Sequence, residues 1–318
     1  MGIIHTLEPL SSSLIEEVTK TTGDDIVILD RHSFPTELEI CNSIKYLIAR
    51  DRDSISDILD ICPNMNFLFI VSTGIENLPF SKLIARQVTV CNTGGINSTI
   101  MSEYVMAYIL SHSVRIRENL ENQQKHFWKK FQCVDSLRDK TLLVIGAGRT
   151  GQKIAEKSKV FGMKTIGIKN HISKVPHFDE VSNLESLDKY LQESDYVVCT
   201  IPLTPQTEGL FDYSKFIQMK STAIFVNISR GKIVNQSDIK RALANGLLSA
   251  AVLDVYETEP IASDDDLWDT PNLIMTPHSS GRLENFMDVA ISDYFIPNFQ
   301  AFINGNVLLN KVNLHDGY

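Results

Sequence analysis

The chain has 318 residues, 43% hydrophobic and 22% charged, a length and balance that suit two globular domains with separate cores. Its formal net charge of −9 argues against a general nucleic-acid binder, which needs basic surface to neutralise phosphates. No stretch reads as a bilayer-spanning helix, and the N-terminus has no charged-then-apolar leader pattern.

The five cysteines, Cys41, Cys62, Cys91, Cys133 and Cys199, form no CxxC pair, and the eight histidines form no HExxH. They read as reduced thiols of a cytoplasmic protein without a metal site. Met1-Gly2 with Thr6 fits an acylation pattern, but Ile3 and Ile4 read better as the start of a strand. Asn97, Asn227 and Asn235 open N-x-S/T sequons, which carry meaning only on a secretory route.

Residues 1–94 alternate short apolar runs with helical stretches. Expected strands are Ile3–Leu7, Asp25–Leu29, Lys45–Ala49, Phe67–Val71 and Val88–Cys91, at βαβ spacing. A long helix is expected from near Ser98, where Met101, Tyr104, Val105, Tyr108, Ile109 and His112 recur at three- and four-residue steps. It runs into a polar stretch, Glu118–Lys130, that reads as a connector.

From Thr141 a second alternating series begins. Six strands are expected: Thr141–Ile145, Lys164–Ile168, Tyr196–Thr200, Ala223–Asn227, Ala250–Leu253 and Leu273–Met275. One intervening helix closes on Leu243-Ala244-Asn245-Gly246, a glycine stop. The strands are near-continuous apolar runs, which indicates a parallel sheet covered on both faces, the doubly wound dinucleotide-binding architecture.

Gly146-Ala147-Gly148-Arg149-Thr150-Gly151 directly follows the first strand of this series and opens a helix. In such a loop the first glycine permits the tight turn, the second lets backbone approach a pyrophosphate, and the third lets helix and strand pack closely. The helix N-terminus then offers N–H groups to the anion. NAD(P) is therefore the expected cofactor. After the next strand comes Lys169-Asn170, where a carboxylate would bind a ribose 2′-hydroxyl. A lysine there attracts a 2′-phosphate instead, a lean towards NADP(H). It also reads as a solvated residue at a strand end.

Three polar segments each lie just after an expected strand: Asn227-Ile228-Ser229-Arg230-Gly231, Asp254-Val255-Tyr256-Glu257-Thr258-Glu259-Pro260 and Thr276-Pro277-His278. Reduction of a keto acid needs a fixed cation for the carboxylate and a proton donor for the carbonyl oxygen. Arg230, with its planar fork, suits the first task. His278 suits the second, because the intrinsic imidazole pKa lies near working pH, and Glu259 is placed to orient it and favour its charged form.

The glycine loop and these runs, in this order, resemble the D-isomer-specific 2-hydroxyacid dehydrogenase family over almost the whole chain. The resemblance implies hydride transfer between NAD(P)H and a small 2-keto or D-2-hydroxy acid, with Arg230, Glu259 and His278 as the catalytic set. It implies cofactor contacts at Thr200, Pro202, Ile228 and Asp254, and a carboxylate-holding loop at Ser72-Thr73-Gly74, with Arg50 a further substrate contact. It implies an α/β chain of two domains. Residues 95–287 form a Rossmann dinucleotide-binding domain, and residues 1–94 with 288–318 a smaller, discontinuous, flavodoxin-like substrate domain. The helix from Ser98 resembles the family's dimerisation element, giving a homodimer; a purely intramolecular contact is the other reading. Met101-Ser102-Glu103 departs from the family's usual Val-Ala-Glu. Two other readings share the scaffold. One is a nucleotide-sensing module resembling the C-terminal-binding-protein corepressors. The other is a formate dehydrogenase, in which a glutamine normally takes the place of Glu259.

Overall fold

The computed structural model describes residues 3–29, 38–50, 55–75 and 77–315; Met1, Gly2 and residues 316–318 lie outside the described residues. The chain divides into two compact units, Met1–Ile96 with Leu283–Tyr318, and Asn97–Arg282.

The first unit opens with β1 (Ile3–Thr6), α1 (Ser12–Thr22), β2 (Asp25–Ile28), α2 (Leu38–Ser43), β3 (Tyr46–Ala49), α3 (Ile55–Ile61), β4 (Phe67–Ile70), α4 (Phe80–Ala85) and β5 (Thr89–Asn92). The strands are all parallel, in the order β2-β1-β3-β4-β5, the flavodoxin-like arrangement. Period-two alternation explains why each strand is apolar throughout. In β4, Phe67 and Phe69 face one core while Leu68 and Ile70 face the other.

The second unit begins with α5 (Ser98–Ser113) and α6 (Ile116–Gln124). It continues with β6 (Thr141–Ile145), α7 (Arg149–Val160), β7 (Lys164–Ile168), β8 (Glu180–Ser182), α8 (Leu187–Glu193), β9 (Tyr196–Cys199), α9 (Tyr213–Gln218), β10 (Ile224–Asn227), α10 (Gln236–Ala244), β11 (Ala250–Leu253) and β12 (Leu273–Met275). Its seven parallel strands run β12-β11-β10-β9-β6-β7-β8, the Rossmann order with one strand added beyond β11. Two cores sandwich the sheet: Leu143 and Ile145 point into one, Leu142 and Val144 into the other. The chain then returns to the first unit with α11 (Phe286–Val289) and α12 (Ile296–Ile303), joined by a π-helical stretch at Ala290–Phe295. Phe295 and Phe299 stack at 5.5 Å and pack with Phe67 and Phe69 against the β-sheet.

The structure changes three local expectations. The sheet of the second unit has seven strands, not six. The addition, β8, is a three-residue edge strand with one apolar side chain, so no apolar run marks it. Part of the expected connector is the helix α6, none of whose residues is buried; Arg117 and Glu121 pair across one turn of it at 3.1 Å. On α5 the buried face is Ser98, Ser102, Val105, Met106, Ile109 and Ser113, rotated from the expected stripe. Apolar side chains occur on every side of the helix, so its periodicity does not choose a face, and the small serines do, by allowing close approach to α7. Met101, Tyr104 and Tyr108 are left half-buried at the edge of that core. The glycine stop of α10 forms, with Gly246 at φ 66° and its N–H on the Leu243 carbonyl.

Candidate active site

The glycine loop leaves β6 and turns back onto the sheet. The N–H groups of Gly146 and Ala147 both donate to the Ile168 carbonyl, and Gly146 sits at φ 110°, which only glycine adopts without strain. A Cβ there would lie 2.5 Å from Thr200 Oγ1 and 2.9 Å from Thr200 backbone carbon. Thr200 in turn donates its hydroxyl to the Gly146 carbonyl at 2.9 Å, tying the end of β9 to the loop. At Gly151 a Cβ would lie 2.1 Å from the Gly146 carbonyl oxygen, so any larger residue would force the loop backbone to shift.

Gly148 is different. It caps the N-terminus of α7 with no side-chain hydrogen bond, and a Cβ added there would meet nothing within 4 Å. Two glycines packed closely against backbone and one facing open space at a helix N-terminus suit a dinucleotide, whose pyrophosphate would be held at Gly148. Arg149 is exposed and Thr150 half-buried, with the Thr150 hydroxyl 3.0 Å from that of Ser98. Lys169 follows β7 directly, its N–H donating to Ser182 O at 2.8 Å, and Asn170 beside it is exposed. Pro202 is exposed, with its carbonyl accepting from Thr207 at 2.8 Å, and Ile228 is buried just beyond β10.

The three loops that follow β10, β11 and β12 are tied to one another. Glu259 and His278 meet: Nδ1 of the imidazole is 2.7 Å from Glu259 Oε2, while the Tyr256 N–H donates to Oε1 at 3.0 Å. His278 is half-exposed and stands at φ 49°, a left-handed conformation that costs a non-glycine residue energy. Asp254, fully buried, holds the loop on both sides of it. Its Oδ1 accepts from Thr276 Oγ1 at 2.7 Å and Ser279 N at 2.8 Å, and its Oδ2 accepts from Ser280 N at 2.9 Å. The Tyr256 hydroxyl lies 2.7 Å from the Leu253 carbonyl and accepts the Thr276 N–H at 3.0 Å; burial pushes its pKa up to about 12.

Arg230 leaves the end of β10 with its Nη1 donating to Ser229 O at 2.8 Å and its carbonyl accepting from Asn227 Nδ2 at 3.1 Å. What places it beside the Glu259 loop is Gly231. A Cβ on Gly231 would fall 1.9 Å from the backbone carbon and oxygen of Tyr256, so the two loops touch backbone to backbone. A reciprocal pair reinforces this: Gln236 N donates to Glu257 Oε1 at 2.8 Å and Glu257 N to Gln236 Oε1 at 2.7 Å. Gly231, Thr276, Tyr104 and Gln236 were not among the candidate site residues. Their signals are weak in sequence, because a glycine after an arginine, or a threonine before a proline, has many ordinary explanations.

In the first unit, Arg50 is exposed at the end of β3, its N–H on Glu8 Oε1 at 2.8 Å and its guanidinium 5.5 Å from the Phe286 ring centroid. Ser72, Thr73 and Gly74 follow β4, with the Ser72 carbonyl accepting from Thr93 N and the Thr73 carbonyl from Asn92 Nδ2.

A Rossmann sheet, a glycine loop open at its middle glycine, and an imidazole–carboxylate pair past the carboxyl ends of the strands define a nicotinamide-dependent oxidoreductase. A family model described as D-isomer specific 2-hydroxyacid dehydrogenase, NAD binding domain, matches residues 106–280. A glyoxylate/hydroxypyruvate reductase B of Klebsiella pneumoniae is 34% identical over 263 residues, 80% of each chain. A human glyoxylate reductase/hydroxypyruvate reductase is 30% identical over 262 residues, 79% of this chain and 78% of that one. The crystal structure of a D-isomer specific 2-hydroxyacid dehydrogenase family protein from Aeromonas salmonicida superposes with a TM-score of 0.80 at 30% identity, covering 98% of both chains. The chain belongs to the D-isomer specific 2-hydroxyacid dehydrogenase family and is an NAD(P)-dependent enzyme of that class. Among the described residues, no helix is long and apolar enough to cross a membrane.

Proposed function

We propose that the protein reduces small 2-keto acids, glyoxylate and hydroxypyruvate first among them, with Arg230, Glu259 and His278 as its reacting set. The observation that carries this is the 2.7 Å contact between His278 Nδ1 and Glu259 Oε2, on a loop clamped by buried Asp254. The choice of keto acid rests on relatives named for those two substrates at 34% and 30% identity.

The nicotinamide ring, when bound, supplies the hydride to the keto carbon or takes it back. The protein does the rest. Glu259 accepts the Nδ1 proton and sets the ring plane, which leaves Nε2 to deliver a proton to the substrate carbonyl oxygen. The guanidinium of Arg230 grips the carboxylate and polarises the carbonyl. Gly146, Gly148, Arg149, Thr150 and Gly151 would hold the pyrophosphate, Thr200, Pro202 and Ile228 would line the remainder of the cofactor site, and buried Asp254 would act there through the loop it holds. Ser72, Thr73, Gly74 and Arg50 would serve the substrate. They follow β4 and β3 at the carboxyl ends of a flavodoxin-like sheet, where such folds bind ligands. The Asn97–Arg282 unit is then the dinucleotide domain, and the unit of Met1–Ile96 with Leu283–Tyr318 the substrate domain.

Arg230→Ala is expected to raise the keto-acid KM and lower kcat/KM by about a hundred-fold or more, since a charge-assisted bidentate contact is lost in both ground and transition states. An unchanged KM would remove Arg230 as the carboxylate clamp. The cofactor is NADPH in preference to NADH, supported by Lys169 at the end of β7, where a 2′-phosphate would need a cation. In fluorescence titrations, Lys169→Asp is expected to weaken NADPH binding by about ten-fold or more and to spare NADH. Equal or tighter NADH binding by the parent protein would end that preference.

The protein also assembles as a homodimer through α5, α6 and the segment after α6. Its support is the run of exposed side chains Leu120, Phe127, Trp128, Phe131 and Val134, with Trp128 89% exposed, a patch that a lone soluble chain rarely leaves uncovered. Sedimentation velocity of the parent and of Trp128→Glu is the check: a dimer that the substitution dissociates is expected, and a monomeric parent contradicts it. A cytoplasmic, reducing location suits five free cysteines, four of them buried; soluble-fraction thiol counts after lysis in alkylating buffer test it.

A further inference from the structure

Helix α5 touches both chemical ends of the second unit. Near its start, Ser98 Oγ is 3.0 Å from Thr150 Oγ1 in the first turn of α7, directly after the glycine loop. Six residues on, about 9 Å along the axis at the α-helical rise, the Tyr104 hydroxyl reaches Thr276 Oγ1 and lies 3.4 Å from Asp254 Oδ1. The direction of the hydrogen bonds in this chain follows from its partners. Asp254 already accepts from Ser279 N and Ser280 N, and accepts the Thr276 hydroxyl proton at 2.7 Å. Thr276 therefore has only an acceptor position left, and Tyr104 donates into it. The Tyr104 ring is half-buried and packed on Tyr108 at 4.8 Å, and burial raises its pKa, so the hydroxyl keeps its proton throughout the range in which the enzyme works.

We propose that Tyr104 is a positioning residue for the proton-transfer step: through Thr276 and Asp254 it fixes the loop that holds His278, and with Ser98 it makes α5 a strut between the cofactor loop and the proton donor. This rests on the reading of His278 as that donor. The His278 N–H bonds the Thr276 carbonyl at 3.0 Å, so a shift of Thr276 passes directly to the residue standing at φ 49°. Of the groups that restrain Thr276, the Tyr104 hydroxyl is the one delivered by a helix from outside the sheet-end loops.

Tyr104→Phe removes the donor and keeps the ring. It is expected to lower kcat by about five- to ten-fold, the scale of one buried hydrogen bond felt at the reacting atom, with keto-acid KM and cofactor Kd within about two-fold. Thr276→Val is expected to lose at least as much, Thr276→Ser to restore most of it, and the Tyr104→Phe/Thr276→Val double variant to be no slower than Thr276→Val, because the effect runs through one chain. A kcat for Tyr104→Phe within two-fold of the parent, a change confined to KM or melting temperature, or losses that multiply in the double variant would each overturn the inference. His278→Gln, assayed alongside, separates the two claims. If it is inactive while Tyr104→Phe is unaffected, only the positioning role fails; if it still turns over, the functional reading falls and this inference with it.

Discussion

His278→Gln is expected to cut kcat for keto-acid reduction by about a hundred- to ten-thousand-fold, the usual worth of a positioned general acid, and to leave dinucleotide affinity nearly unchanged. Glutamine is close in size to imidazole and still offers an N–H to Glu259 Oε2, which His278 Nδ1 approaches at 2.7 Å, so the loop keeps its tie to the β11 side. The backbone clamp is independent of the ring: Ser279 and Ser280 donate main-chain N–H groups to Asp254, and His278 donates its own to Thr276 O. What disappears is the imidazole, whose Nε2 is the atom proposed to pass a proton to the substrate oxygen. Stopped-flow and steady-state kinetics together with a cofactor titration read both quantities. Turnover close to the parent would remove His278 from the chemistry, and a collapse of cofactor affinity would mean that the ring is holding structure instead.

The second large effect is a contrast between two glycines three residues apart. Gly151→Ala is expected to lower the melting temperature by roughly 5 °C or more, since a methyl group forced into a full space costs a few kcal/mol. That methyl would stand 2.1 Å from the Gly146 carbonyl oxygen, a backbone atom that would have to shift, and that carbonyl is also held by the Thr200 hydroxyl at 2.9 Å. Gly148→Ala is expected to melt within about 2 °C of the parent, because nothing lies within 4 Å of the new Cβ. It is nevertheless expected to weaken cofactor binding by about ten-fold or more, the methyl occupying the approach that a pyrophosphate needs. Calorimetry and titration on the two variants separate folding from binding. Parent-like cofactor affinity in Gly148→Ala would contradict the cradle.

The strands were legible because a parallel sheet with both faces covered writes itself as unbroken apolar runs, and β4, β6, β9 and β10 are buried end to end or nearly so. β8 was not, since an edge strand of three residues has little apolar surface to hide. The face of α5 was not, because packing on α7 selected serines over a stripe of larger side chains. In the candidate site, residue types suggest a chemistry but do not reveal what supports it. The clamp on His278 is built from the N–H groups of Ser279 and Ser280, which every residue but proline carries, so no side chain announces it. Tyr104 meets Thr276 across 172 residues of sequence. The contact of Gly231 with Tyr256 depends on an absent side chain, a signal that becomes visible only when the two loops are seen together.

Turnover of a 2-keto acid by this chain is the most direct test of the proposed chemistry. Purified protein, NADPH or NADH and, in turn, glyoxylate, hydroxypyruvate and pyruvate should show loss of reduced nicotinamide matched one-for-one by 2-hydroxy acid, with the fastest rate on one of the first two. Tight cofactor binding with no consumption of reduced nicotinamide on any of the three acids would contradict it, and would point to a nucleotide-sensing module built on the same fold.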